Sequence, residues 1–219
     1  ERAKKISGLG LVPTFWFNKN YNYRLSLVPG ILAFLVTLIS GYLEALNIVQ
    51  EKESGTIEQI NVSPIKKRDF ILGKLIPFWI LAMIAFTVGL FVTIFVYKIE
   101  MQGSFLLLYG FISVYLITIL GMGLLASVYS ETQQQAMFVV FFFMMIFILM
   151  SGLFTPTESM ADWAKYIAYV NPVTYGVDGI RLIMLKNSGF KDLLPHFGFI
   201  MGLGFLVISW AVLRYRKTN

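Results

Sequence analysis

Five long apolar runs, separated by polar breaks, dominate the pattern along this chain. They extend over about Leu27 to Val49, Leu75 to Tyr97, Ser104 to Tyr129, Ala136 to Phe154 and Phe197 to Leu213. A bilayer-spanning helix needs about 20 mostly apolar residues, whereas barrel strands are shorter and alternate. The pattern therefore predicts an all-α integral membrane fold with about five transmembrane helices. The breaks Lys98 to Gly103 and Ser130 to Gln135 are only a few residues long, so they make antiparallel hairpins of the second with the third run and of the third with the fourth. Two connections are longer: the charged stretch Gln50 to Lys74, and a mixed stretch from Thr155-Pro156 to His196.

Composition agrees. Hydrophobic residues make up 57% of the 219 and charged residues 14%, against roughly 25% charged in soluble domains. The net charge of +6 does not imply nucleic acid, because the basic residues flank apolar runs, where they meet anionic headgroups. Their density places Lys52, Lys66, Lys67, Arg68, Lys74, Arg214, Arg216 and Lys217 on the cytoplasmic side. The N-terminal segment then lies outside, which calls for a helix upstream of Glu1. Since the chain opens Glu1-Arg2-Ala3-Lys4-Lys5 with no initiator Met, it is expected to be the C-terminal part of a longer protein or to have lost a preceding segment. Residues 1–24, with Phe15, Trp16, Phe17 and Tyr21, read as the end of an external domain and a pre-membrane aromatic segment, and residues 25–219 as the transmembrane domain.

Candidate chemistry is sparse. Glu44 is the only charged residue within a predicted span, placed to reach interfacial water, and His196, the only histidine, flanks the last span. No cysteine is present, and no zinc-binding helix, nucleophile elbow or embedded aspartate pair occurs. No metal site or cofactor is expected in this chain. The phosphate-cradling loop of nucleotide hydrolases is missing too, so work driven by ATP must arrive from another polypeptide.

Its entry point is sought in Gln50 to Lys74. Gly55 breaks the helix leaving the first span, Thr56-Ile57-Glu58-Gln59 matches a capping box, and Ser63-Pro64 restarts the chain. Ile57 and Ile60 share one face of the resulting amphipathic stub. It reads either as a docking element for a partner or as a solvated basic loop held by headgroups.

Phe15-Trp16-Phe17-Asn18, Pro29-Gly30, Glu51-Lys52-Glu53-Ser54-Gly55-Thr56-Ile57-Glu58-Gln59-Ile60, Ser63-Pro64 and Gly73-Lys74-Leu75, followed by Asn171-Pro172-Val173-Thr174-Tyr175 and Asp178-Gly179-Ile180-Arg181, closely resemble ABC-2 type transporter permeases of the bacterial multidrug-export branch. The resemblance covers nearly the whole chain. It implies six spans, of which these five are the second to sixth, the first span and most of the external domain being absent here. It also implies that the stub is the coupling helix that contacts the ATPase. Glu51, Glu53, Gly55, Thr56, Ile57, Glu58 and Ile60 are then the coupling residues, with Gly55 at the bend, Ile57 and Ile60 on the docking face and the carboxylates around it.

The resemblance further makes Thr155 to Lys186 a re-entrant external hairpin acting as an outer gate, through Pro156, Trp163, Asn171, Pro172 and Tyr175. An amphipathic helix resting at the interface is the other reading of this segment. Phe138, Phe142 and Met145 either line a path for apolar substrates or face lipid. The implied assembly is a cell-membrane exporter, in the bacterial inner membrane. Two copies of this chain, or this chain and a homologue, would pair with an ABC ATPase subunit dimer that binds ATP and Mg, the whole being surrounded by membrane lipids. The rivals are a membrane-embedded enzyme working through Asp162, Asp178 or Arg181 and a passive channel or scaffold.

Overall fold

A computed structural model describes residues 23–56 and 67–214. Most of the predicted segment 1–24, together with Ile57, Glu58 and Ile60, lies outside the described residues. Seven α-helices are described: α1 (Tyr23–Glu53), α2 (Lys67–Phe95), α3 (Phe105–Tyr129), α4 (Gln133–Leu149), α5 (Asp162–Val170), α6 (Pro172–Lys186) and α7 (Phe190–Arg214), with a 3-10 turn at Thr157–Ser159.

Helices α1, α2, α3 and α7 are long and apolar enough to cross a membrane. The chain is a multi-pass membrane protein. The fourth predicted run is realised as the shorter α4, whose 17 residues reach about 25 Å, the lower edge of a spanning length. It stops before Phe154 because the hydroxyl of Ser151 donates to the carbonyl of Ile148 at 2.7 Å, and Gly152 follows with a positive φ of 78°. Helix α7, conversely, begins before Phe197. The Asp192 carboxylate accepts from the Gly189 amide at 3.1 Å and secures a first turn that Lys191, Pro195 and His196 make too polar to register as an apolar run.

Helix α3 is the centre, packed against α1, α2, α6 and α7. Between membrane helices, close backbone approach and interhelical hydrogen bonds replace the hydrophobic drive, and both are present. Thr37 of α1 donates to the carbonyl of Ala33 at 2.6 Å, so the hydroxyl of Tyr115 is the donor in the 2.5 Å bond between Thr37 and Tyr115. Thr118 donates to the carbonyl of Ile200 at 3.0 Å, and the Trp79 indole to that of Ser113 at 3.2 Å. Further along, α1 and α3 meet at Gly41 and Gly123: a Cβ on Gly123 would lie 2.7 Å from the carbonyl oxygen of Gly41. Thr37, Ser40, Glu44 and Ile48 on one face of α1 are buried, whereas Leu35, Ile39 and Leu43 are exposed, the period expected of a helix with one protein face and one lipid face.

The α5–α6 hairpin enters this bundle. Asn171 caps α6, its carboxamide oxygen accepting from the Val173 amide at 2.9 Å while its amide group donates to the carbonyl of Phe147 at 2.6 Å. Pro172 occupies the first helical position, where a missing N–H costs nothing. Helix α6 then runs along α3, with Gly176 against the ring of Tyr115 and Gly179 against that of Phe111. These rings lie about 15 and 9 Å from the start of α3, so the hairpin is re-entrant. Arg181 ties it to the chain after α4 through the carbonyls of Gly152 and Leu153, at 3.1 and 3.4 Å. Helix α5 buries Ala164 and Ala168, leaving Trp163, Ile167 and Val170 exposed.

The Gly41–Gly123 contact gives a direct test. Gly123→Ala pushes a methyl into backbone and is expected to cost about 1–3 kcal/mol, lowering the thermal midpoint in detergent by roughly 2–10 °C. Gly110→Ala, on the exposed side of the same helix with open space around it, is expected to leave the midpoint unchanged or raise it.

Candidate functional site

The end of α1 gathers the polar residues. Lys52, in its last turn, directs its ammonium to the carbonyls of Ser127, of Val128 at 3.3 Å and of Ser130 at 3.0 Å. A helix C-terminus leaves carbonyls without intrahelical partners and carries a partial negative charge, so Lys52 acts as a cap for α3 supplied from another helix. The neighbouring Glu53 accepts from the Gln133 amide at 2.9 Å and from its side chain at 2.5 Å, holding the first residue of α4. Thr132, meanwhile, caps α4 by accepting from the Gln135 amide at 3.2 Å.

Glu51 pairs with Lys74 of α2, and Lys74 also donates to the side-chain oxygen of Asn47 at 3.0 Å. Each of α1's last polar residues thus binds a different neighbour: Glu51 to α2, Lys52 to α3 and Glu53 to α4. The chain then turns. Gly55 adopts φ of 72°, the left-handed region that suits glycine at a helix end, its amide bonded to the carbonyl of Lys52 at 3.1 Å. The hydroxyls of Ser54 and Thr56 meet at 3.0 Å.

Of the predicted coupling residues, Glu51, Glu53, Gly55 and Thr56 are thus brought together at this turn. Sequence reasoning missed Lys52, Lys74, Asn47 and Gln133 as their partners. Two signals were available: a basic residue in the last turn of a helix, and the spacing of Glu44, Asn47 and Glu51 on one face. Glu44 itself corrects an expectation. It does not reach interfacial water but is fully buried, because it sits on the α1 face that packs against α3, beside Gly123. Neither carboxylate oxygen has a hydrogen-bond partner among the described residues.

At the opposite end, Asn171, Pro172 and Tyr175 belong to the packed hairpin. The Tyr175 hydroxyl donates to the carbonyl of Tyr169 at 2.9 Å, and its ring stacks on Phe199 at 4.1 Å. Pro156 opens the 3-10 turn, and Trp163 stands exposed on α5. Phe138, Phe142 and Met145 are all exposed on the outer face of α4. A separate apolar cavity of about 420 Å³ lies between α3, α4 and α7, with Gly123, Val140, Phe143, Met144 and Trp210 in its walls. Among the described residues no cluster of His, Cys, Asp and Glu suited to a metal ion is present.

Comparison with known proteins follows the same lines. Residues 4–213 match the ABC-2 family transporter protein family. The chain is 35% identical over 188 residues to the probable multidrug ABC transporter permease YbhR of Escherichia coli (strain K12), covering 86% of this chain and 51% of that protein. It is 30% identical over 204 residues to the probable multidrug ABC transporter permease YbhS, covering 93% and 54%, and 24% identical over 195 residues to the inner membrane transport permease YhhJ, covering 86% and 51%, both of the same organism. The chain spans about half the length of these relatives.

Lys52→Met removes the donor from three carbonyls at the end of α3. A loss of about 1–2 kcal/mol is expected, together with faster hydrogen exchange at the amides of residues 130–133. Lys98→Met, at the opposite end of the bundle, is the control expected to leave exchange at those amides unchanged.

Proposed function

The chain belongs to the ABC-2 family of transporter proteins, and from that premise we propose that it is the membrane-spanning permease part of an ATP-driven exporter in the bacterial inner membrane. The end of α1 faces the cytoplasm. Two permease chains, identical or homologous, form the pathway, and two ABC ATPase subunits that bind ATP and Mg engage the segment following Gly55. The names of the E. coli relatives support a multidrug permease, and an amphiphilic or drug-like substrate suits the apolar walls between α3, α4 and α7.

One observation carries this reading above the others: the residues preceding the Gly55 turn are bound separately to α2, α3 and α4. A force applied beyond the turn therefore reaches four helices through short polar contacts rather than one helix through a flexible tether. ATP-driven closure of the partner subunits tilts α1 to α4 together and exchanges inner for outer access. The α5–α6 hairpin, through Pro156, Trp163, Asn171, Pro172 and Tyr175, acts as the outer gate.

The test uses the full-length permease reconstituted with its ATPase subunits. Proline fixes φ near −65°, so Gly55→Pro is incompatible with the turn at φ of 72°, and Glu58→Lys reverses a charge on the docking segment. Both are expected to lower ATPase stimulation to the level of the ATPase subunits alone while the permease still folds, with the thermal midpoint unchanged in Glu58→Lys and lowered in Gly55→Pro, which also loses the amide bonded to Lys52. Wild-type stimulation in both variants would overturn the coupling role. Catalysis or flux by the purified permease without nucleotide would favour the enzyme or channel readings instead.

A further inference from the structure

A second cavity, of about 500 Å³, lies among α5, α6 and α7, away from the Gly55 turn. Lys165 and Tyr169 of α5, Thr174, Tyr175 and Asp178 of α6 and His196 of α7 are in its walls. Its depth sets it apart from an ordinary surface cleft. His196 is six residues into α7, about 9 Å along its axis, and Tyr175 and Asp178 neighbour Gly176 and Gly179, which touch Tyr115 and Phe111 about 9–15 Å along α3. A 25-residue helix is about 37 Å long and the hydrocarbon layer about 30 Å, so with α3 centred on that layer the cavity would reach roughly 5–11 Å below the hydrocarbon edge. Ionisable side chains at such depth face a protein-lined or watery space and mark a functional site.

The donor set defines what fits. The Nδ1 atom of His196 is buried with no hydrogen-bond partner among the described residues. Among the described residues Lys165 pairs with the exposed Asp162, at 3.2 Å, an arrangement worth little in water and easily exchanged. Asp178 supplies a carboxylate, which has about four acceptor positions and lies 3.9 Å from Arg181. One cationic and one anionic group within a single cavity disfavour a bare cation or a bare anion and favour a ligand bearing both charges. Outside the cavity, Tyr166 and Val170 of α5 and Met201 and Phe205 of α7 are exposed, which provides apolar surface for chains that remain in the bilayer.

We propose that this cavity binds the head group of an amphiphile of the phosphoethanolamine class, its chains staying in the outer leaflet. The phosphate is met by Lys165 and His196. The primary ammonium donates to Asp178 and lies near the ring of Tyr175, where a cation is also favoured. A trimethylammonium has no N–H to donate, so the site discriminates against phosphatidylcholine; a glycerol head group lacks the positive charge.

This assignment is independent of ATP coupling and is read without it. Full-length permease in nanodiscs of equal phosphatidylethanolamine, phosphatidylcholine and phosphatidylglycerol is released into native mass spectrometry and the retained lipids are counted. Phosphatidylethanolamine is expected to be retained about tenfold over each of the others, a difference of about 1.4 kcal/mol. The preference falls to near unity in Asp178→Asn and in Lys165→Gln, the latter at a partly exposed position that leaves the fold intact, and persists in Asp192→Asn outside the cavity. Equal retention of the three lipids by the wild type, or an unchanged preference in both cavity variants, would overturn the proposal. A second arm distinguishes the source of the head group: during ATP turnover with the ATPase subunits, a constant lipid count identifies a resident bilayer lipid, and a falling count identifies transported cargo, each supporting the site.

Discussion

The ammonium of Lys52, seated on the carbonyls of Ser127, Val128 and Ser130, is the contact on which the organisation around the Gly55 turn depends. The last turn of α3 must place its free carbonyls somewhere, and a chain that reverses within three residues into α4 cannot solvate them all. Supplying the donor from α1 satisfies them and fixes the distance between the two helices. Glu53, one residue on, binds the start of α4, and Glu51, one residue back, binds α2. Consecutive residues on a helix point about 100° apart, so three successive polar side chains are suited to reach three surrounding helices. The Gly55 turn begins where this arrangement ends.

Helix α3 also organises the other half of the bundle. Tyr115 of α3 donates to Thr37 of α1 and presents its ring to Gly176 of α6, so α1, α3 and the hairpin meet at one side chain. With Gly41 and Gly123 in backbone contact further along, α1 and α3 have little freedom to slide independently. Close-packed interfaces of this kind shift between discrete arrangements rather than deforming continuously. A tilt of α1 and α3 therefore displaces α6 as well, which links the Gly55 turn to the hairpin without a separate pathway of side chains.

Much of this was legible in the sequence because it is governed by local rules. Apolar runs of spanning length gave the helices, Gly55 the turn, and Asn171-Pro172 a cap followed by the favoured first position of a helix. What escaped depends on tertiary contact. A last-turn lysine announces a helix end but not that the end belongs to another helix. Glu44 was placed correctly on α1, yet its exposure depended on which face α3 covers, and an apolar span contains no signal for that. The residues Phe138, Phe142 and Met145 were grouped by their chemistry, and the uniformly apolar α4 concealed that its packed face is the other one, through Ala136, Val140, Met144 and Ile148.

The shortness of α4 and the position of the hairpin are two consequences of one constraint. Ser151 and Gly152 end α4 at a depth where lipid would leave the following backbone unsatisfied. The hairpin occupies that depth instead, with Asn171 and Thr174 donating to the carbonyls of Phe147 and Met150 and Arg181 to those of Gly152 and Leu153. A full-length fourth span would need none of these donors and would leave no room for α6 beside α3. The irregular backbone is tolerated because polar side chains from the next segment cover it. The hairpin also brings Asp178 beside His196, and both border the cavity. The polar cavity at this depth thus follows from how the bundle closes over a helix that stops early.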